Sequence, residues 1–457
     1  MVRRLRGAAV PAYLFLCLTL GGSGQGIWAN MVLQLLGLGL IVWSVVRRSD
    51  EPMPVPLKRL LALVVAGLAL AALQLVPLPA ALWQGLGARQ PIAEGYKILG
   101  IAAPPLPLSV APYDGLSSLL SLIPSLAVLV ACWRLGARPL PLMIAMLTAM
   151  FGGILLGALQ VSSPDPANSP WYLYRETNTG VAVGFFANAN HMASLLVISL
   201  PFLAAILASA KRRGRNAQRY SAILALAAAG ALVVAVGIAL NGSLAGYGLA
   251  APVLVASALI VLPGRTRALG WLAAFAGVLL IAAVGWLSTT PLSSSATLRA
   301  NAETSVQSRA EIRATTVKAT GDFMPLGSGV GTFRQVYAVY EDHDRLDPST
   351  FVNHAHNDYL ELALETGIPG VILLLVFLAW WGRAAWAAWR QRDPDPYARA
   401  AAVASAAILI HSLVDFPLRT AAIGACFAMC LALLVRQRPA AAADSSDLRP
   451  TRHVVLG

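Results

Sequence analysis

The sequence predicts an all-α protein, a polytopic membrane helical bundle of about 12 spans with a large, partly helical loop on its outward side. Three observations carry this expectation. The 457 residues are 57% hydrophobic and only 12% charged, with a mean hydropathy of +0.67, outside the range of soluble globular chains. Apolar runs recur at close to the roughly 20 residues needed to cross a hydrocarbon core of about 30 Å. Lys and Arg gather on alternate connections between those runs, the pattern that fixes orientation in a membrane.

The runs fall near 8–23, 30–46, 59–77, 116–133, 140–161, 186–210, 220–241, 245–263, 269–288, 368–386, 400–416 and 420–435. Arg3, Arg4 and Arg6 precede the first, which reads as an uncleaved helix although its flank imitates a signal peptide. Arg47, Arg48, Lys58 and Arg59 separate the second and third runs, and Arg134 and Arg138 the fourth and fifth. Lys211, Arg212, Arg213, Arg215 and Arg219 follow the sixth, Arg265 and Arg267 the eighth, and Arg383, Arg390, Arg392 and Arg399 the tenth. Arg436, Arg438, Arg449 and Arg452 lie in the tail. Positively charged flanks stay in the cytoplasm, so both termini are expected there. These clusters, with some help from anionic headgroups, account for the formal charge of +13, and a nucleic-acid partner is not expected. Cys17, Cys132, Cys426 and Cys430 all fall in apolar runs, where they act as small apolar residues, so neither a disulfide nor a Cys-rich metal site is expected.

The outward connections are 78–115, 162–185, 289–367 and a short turn at 411–419. The third holds six basic and ten acidic residues, so it lacks the basic bias of the opposite side. A connection this long is expected to carry its own helices. SVQSRAEIRATTVKATGDF, from Ser305, reads as one helix. PLGSGVGTFRQVYAVYEDHD, from Pro325, opens with Gly327, Gly329 and Gly331, suited to a turn with positive φ. No strand precedes these glycines, so a nucleotide-binding loop is rejected. Asp358 and Glu361 fit a capping pair for a helix from Tyr359 to Thr366, and Gly367 and Pro369 stop it and open the next. His356 then stands just before a helix N-terminus, where N–H groups favour an anion. His354 and His356 lack a third ligand at fitting spacing, so no metal is expected. The implied divisions are 1–161 (N-terminal spans), 162–288 (central spans), 289–367 (outward loop), 368–435 (C-terminal spans) and 436–457 (tail).

Several motifs carry a resemblance. HNDYLELALETGIPG at 356–370, PLGSGVGTF at 325–333 and SRAEIR at 308–313 resemble the O-antigen ligase and Wzy-type polysaccharide polymerase superfamily. GFFANANHMASLL at 184–196 is similar to that family's Asn-x-Asn-His motif, and HSLVDFPLRT at 411–420 resembles a C-terminal motif of some members. The likeness covers roughly residues 180 to 435, with the N-terminal third matching only as hydrophobic spans. It implies a GT-C-like bundle in the bacterial inner (cytoplasmic) membrane with a periplasmic active site. It also implies an inverting, metal-independent, cofactor-free glycosyl transfer from an undecaprenyl-pyrophosphate-linked glycan. The acceptor would be another glycan in a polymerase or lipid A core in a ligase, with membrane lipids and other polysaccharide assembly proteins as further partners. The family's loop His corresponds to His356 and its loop Arg to Arg309. The sequence departs from the family at NGSLAGYGLAAPV, where Leu244 stands in place of an expected Arg.

The chemistry asks for fixed cations where charge builds on a leaving pyrophosphate, and Arg suits phosphate oxygens. Arg309 and Arg313 are four apart on one helix face; Arg313, Arg175 or Arg334 is the candidate replacement for the missing Arg. His356 is the candidate base for the acceptor hydroxyl, oriented by Asp358 or Asn357. Asn190 and His191, with His354, are candidates to hydrogen-bond sugar or headgroup, and His411 and Asp415 are expected to bind each other. Trp171, Tyr172 and Tyr174 read as an interfacial belt. A polymerase is the leading reading and a ligase the alternative. A non-catalytic transporter or flippase fits less well, because charged residues avoid the spans and gather in one loop.

Overall fold

The computed structural model describes residues 2–47, 52–214, 216–262, 294–342, 352–391 and 393–436. The expected span near 269–288, His343 and the tail beyond 436 lie outside them. The described chain is 74% helical. Its N-terminal part comprises α1 (Val2–Leu20), α2 (Ile27–Val46), α3 (Val55–Leu73), α4 (Ala80–Gln84), α5 (Gln90–Ile98), α6 (Pro112–Ser121), α7 (Ile123–Arg134) and α8 (Pro139–Val161). There follow α9 (Ala189–Arg212), α10 (Ala217–Asn241) and α11 (Leu244–Val261), then α12 (Ser294–Phe323) and α13 (Phe333–Tyr340). The chain closes with α14 (Asp358–Arg390), α15 (Pro396–His411) and α16 (Ala421–Leu434). The sheet is one antiparallel pair, β1 (Pro77–Leu78) with β2 (Leu106–Pro107).

Eight helices among the described residues are long and apolar enough to cross a membrane, with α6 and α7 counted as one. Expected spans near 8–23 and 420–435 are shorter apolar helices. The run at 400–416 is helical only to His411, because Pro417 opens a short 3-10 turn and residues 412–416 turn back. Asp415 therefore leaves the helix. The loop helix is longer than expected, beginning at Ser294 rather than Ser305, since the preceding SSATLRANAET lacks Gly and Pro.

α9 is the central helix. Most of its residues are buried, and it packs against α8, α10, α11 and α15. α16 lies against α1, α7 and α15, and one continuous apolar core joins these helices. The long loop that ends at Gly367 has a smaller core, built with the start of α14 from Ile312, Phe323, Phe333, Val336, Tyr337 and Leu364.

Two devices fasten that loop to the bundle. Gly327, Gly329 and Gly331 all take positive φ, as their spacing predicts. They lie against a break in α14 at Gly367, whose φ of 60° and ψ of −155° interrupt the helix. The carbonyls near the break find other donors: Ser328 N–H bonds Leu364 O and Gly329 N–H bonds Glu365 O, each at 2.9 Å. Arg89, in the 78–115 connection, is buried. Its guanidinium donates to the carbonyls of Gly87, Leu108 and Gly327, so it rivets the 79–111 connection to the glycine turn. Burial lowers its pKa to about 10.

A Cβ at Gly367 would lie 2.2 Å from the Pro325 carbonyl oxygen, and its backbone region is open essentially to Gly alone. Gly367→Ala is expected to cost about 1–3 kcal/mol from backbone strain, more with the clash. A lowered melting temperature in detergent, relative to the wild type and to Gly382→Ala at an open helical position, checks this.

Candidate functional site

Four helix N-termini among the described residues meet at one end of the bundle. Each has a side-chain cap: Asn188 for α9, Ser243 for α11, Asn357 for α14 and Thr420 for α16. The caps satisfy N–H groups that a helix start leaves without partners, and the dipoles bring partial positive charge to the same place. Asn357, rather than Asp358, starts α14, accepting from Tyr359 N at 3.0 Å and Leu360 N at 2.9 Å. The expected capping pair is therefore corrected by one residue. Glu361 still reaches back, but to Ala355 N at 2.9 Å.

Asp415 sits in the middle. Its carboxylate is fully buried and meets groups from four separate stretches of chain. His356 Nδ1 lies 3.2 Å from Oδ1, and Arg309 reaches 3.5 Å from Oδ2. Asn190 donates its side-chain amide to Oδ2, and Phe416 N–H donates to Oδ1 at 2.9 Å. His191 Nε2 stands 4.0 Å away. Burial opposes the charge on Asp415, but the His356 hydrogen bond and the nearby His191, His356 and Arg309 outweigh it. They hold its carboxyl well below the usual range. The Phe416 ring lies against His191, His354 and His356, with centroids at 4.9, 4.2 and 5.0 Å.

His356 has φ of 48°, a left-handed conformation uncommon for residues with a side chain. Its neighbours on both sides fix it: Ala355 N–H is held by Glu361, and Asn357 caps α14 and donates to Leu413 O. The partner that orients the imidazole is thus Asp415. Neither Asp358 nor Asn357, expected in that role, bonds the ring. Asp358 turns to Ser412 Oγ at 2.8 Å.

A second group adjoins the first. Asp358, Glu361 and Glu365 are spaced three and four apart, so they share a face of α14. All three carboxylates are buried, and all approach Arg419, at 3.6, 3.4 and 3.0 Å. Burial disfavours the Arg419 charge, but these carboxylates prevail and raise its pKa. His354 bonds Glu361 at 2.8 Å, and Glu365 also accepts from Gly331 N–H of the glycine turn.

Other expected residues stand apart. Arg313 is exposed one turn beyond Arg309. Arg175 is exposed beside its neighbour Glu176, and Arg334 faces Asp114 at 3.9 Å. His411 does not bond the Asp415 side chain; its Nδ1 is 2.6 Å from Ser194 Oγ on α9. Leu244 is half exposed, next to Ser243, which donates to Asn190 Oδ1 at 2.6 Å. Ser243 and Glu365 are not singled out by the sequence; Arg419 is expected only as one of several cations for phosphate, Asp415 only as a partner of His411, and Glu361 only as a capping residue. Their signals were the HSLVDFPLRT stretch and the carboxylate spacing on α14.

Fold and site together define a helical membrane protein whose ionisable side chains converge at one end of its bundle. Residues 229–375 match the family model Wzy_C, described as O-antigen ligase, which bears out the resemblance to the O-antigen ligase and Wzy-type polymerase superfamily. The family points to glycosyltransferase-like activity on a lipid-linked glycan. The matched stretch contains Arg309, His354, His356 and the α14 carboxylates, and stops short of Asp415 and Arg419. A search of curated proteins gives no match.

Two outcomes follow from the charge pairing. Arg419→Gln leaves three buried carboxylates without their cation, and a loss of about 3–5 kcal/mol is expected, measured by melting in detergent against Arg419→Lys. Asp415 has a lowered native pKa, so its contribution is whole above its ordinary value of 3.8 and shed as pH falls below that. Wild type is therefore expected to lose melting temperature more steeply below pH 3.8 than Asp415→Asn.

Proposed function

We propose that the protein is a membrane glycosyltransferase that polymerises a cell-surface polysaccharide from undecaprenyl-pyrophosphate-linked repeat units. In this reading it lies in the bacterial inner membrane as a GT-C-like bundle of about 12 spans, organised in the divisions given above. Both termini are cytoplasmic and the Asp415 cluster faces the periplasm. The observation that carries the proposal is the shared carboxylate: Asp415 lies between the imidazole of His356 and the guanidinium of Arg309.

Each partner then has a task. His356 donates Nδ1–H to Asp415, which leaves Nε2 as the basic nitrogen. The acceptor hydroxyl gives its proton to Nε2 as its oxygen attacks the anomeric carbon from the face opposite the pyrophosphate. The bond from that carbon to the phosphate oxygen breaks, and its electron pair leaves with undecaprenyl pyrophosphate. Configuration inverts, with neither metal nor cofactor. Arg309, which offers Asp415 one terminal nitrogen, uses its remaining donors on the pyrophosphate oxygens, with Arg313 one turn away. Asn190, His191, His354, Asn357 and Asp358 shape the surrounding sugar and headgroup site. Arg334 and Arg175 are more distant cations for a long donor.

The test compares glycans by gel in a deletion strain carrying wild type, His356→Ala, His356→Gly or Arg309→Ala at equal membrane abundance. Gly suits the positive φ of this position, so His356→Gly separates loss of the imidazole from backbone strain. Wild type is expected to restore long polymer while each variant leaves single repeat units, a loss of roughly 10²–10⁴-fold for the base. Long polymer on the lipid carrier but none on lipid A core, in the deletion strain, identifies a ligase instead. Full rescue by the variants defeats the catalytic proposal.

A further inference from the structure

A cavity of about 580 Å³ lies at the other end of the same helices. Asn190 begins α9 at the Asp415 cluster and Ser209, near its other end, lines the cavity; at helical rise these are about 30 Å apart, the thickness of a hydrocarbon core. α15 runs the opposite way, from Tyr397 at the cavity to His411 at the cluster. The cavity thus sits at the depth of lipid headgroups on the opposite membrane face.

Arg138, Arg212, Arg213 and Arg436 line it, with Asp395 as the carboxylate among the lining residues. Asp395 also caps α15 by accepting from Tyr397 N–H at 3.0 Å, and Asp393, outside the lining, pairs with Arg212. Among the described lining residues, four guanidinium groups thus stand against one carboxylate. Orientation in a membrane requires only that cations flank the spans; it does not require a hollow. Here arginines from three separate places, before α8, at the end of α9 and after α16, converge on one concavity with a buried Tyr397 in its lining. Leu140, in the first turn of α8, adds an exposed apolar side chain.

We infer that this cavity binds the phosphodiester headgroup of an acidic membrane phospholipid. Planar guanidinium forks match phosphate oxygens. The exposed Leu140 beside these arginines suits the glycerol end of a lipid, which free phosphate lacks.

The test uses the purified full-length protein in detergent, read by native mass spectrometry and thermal melting. Phosphatidylglycerol, phosphatidylcholine and inorganic phosphate are added separately to wild type, Arg138→Gln/Arg213→Gln and Arg138→Lys/Arg213→Lys. Phosphatidylglycerol alone is expected to stay bound and raise the melting temperature. The Gln pair is expected to bind it about 30-fold more weakly, at about a tenfold loss per 1.4 kcal/mol and 1 kcal/mol per Arg, and the Lys pair to keep most of the binding. Equal retention of phosphatidylcholine overturns the inference, as does equal stabilisation by inorganic phosphate, or undiminished binding by a monodisperse Gln pair. The wild-type comparison decides even if a variant fails to fold. Lipid retention is read without any glycan product, so the result stands apart from the glycosyltransferase reading.

Discussion

The buried carboxylate of Asp415 is the constraint on which the rest of this end of the molecule depends. A charge removed from water costs several kcal/mol unless partners surround it, and Asp415 takes its partners from α9, α12 and the segment before α14. Asn190 passes the linkage on to Ser243 at the head of α11. One anion therefore sets the register of four helices relative to one another, and it is why Arg309 and His356 stand together at all. The chemistry proposed for that pair inherits its geometry from an electrostatic need of the fold.

Arg419 complements it. The turn between α15 and α16 carries an anion at Asp415 and a cation at Arg419, four residues apart and on either side of Pro417. The anion meets cationic and imidazole groups, whereas the cation meets three carboxylates of α14. His354 and Phe416 sit between the two sets, one through its bond to Glu361 and the other through ring contacts. Exchange of the outward loop with another position would put like charges together on both sides of the turn, so the pairing also selects a single docking.

The helical membrane character was legible in the sequence because span length is a local property of a chain in a membrane. The positive φ of three glycines and the break at Gly367 were equally local. The hub was not. Asp415 falls at the end of an apolar run, where a single polar residue reads as a helix end, and its partners lie 59 residues away at His356 and 225 at Asn190. Arg89 shows the reverse case. An arginine in an outward connection reads as a free cation, yet carbonyls released by tight turns at Gly87 and Gly327 consume its donors. Which arginine is spent on the backbone depends on distant turns, and spacing along the chain carries no record of that.

The order of these residues along the chain has a bearing on biogenesis. Asn190, Ser243, Arg309 and His356 are all synthesised before Asp415, which follows α15 near the close of the helical bundle. Until the turn after α15 is made, the earlier residues have no common anion, and the α14 carboxylates have no Arg419. The two halves of the polar cluster are therefore completed together, late in synthesis, by a turn of about ten residues. Completion of this polar end is thereby tied to α15 and the turn after it, and a chain interrupted before that point carries the loop motifs without the groups that bring them together.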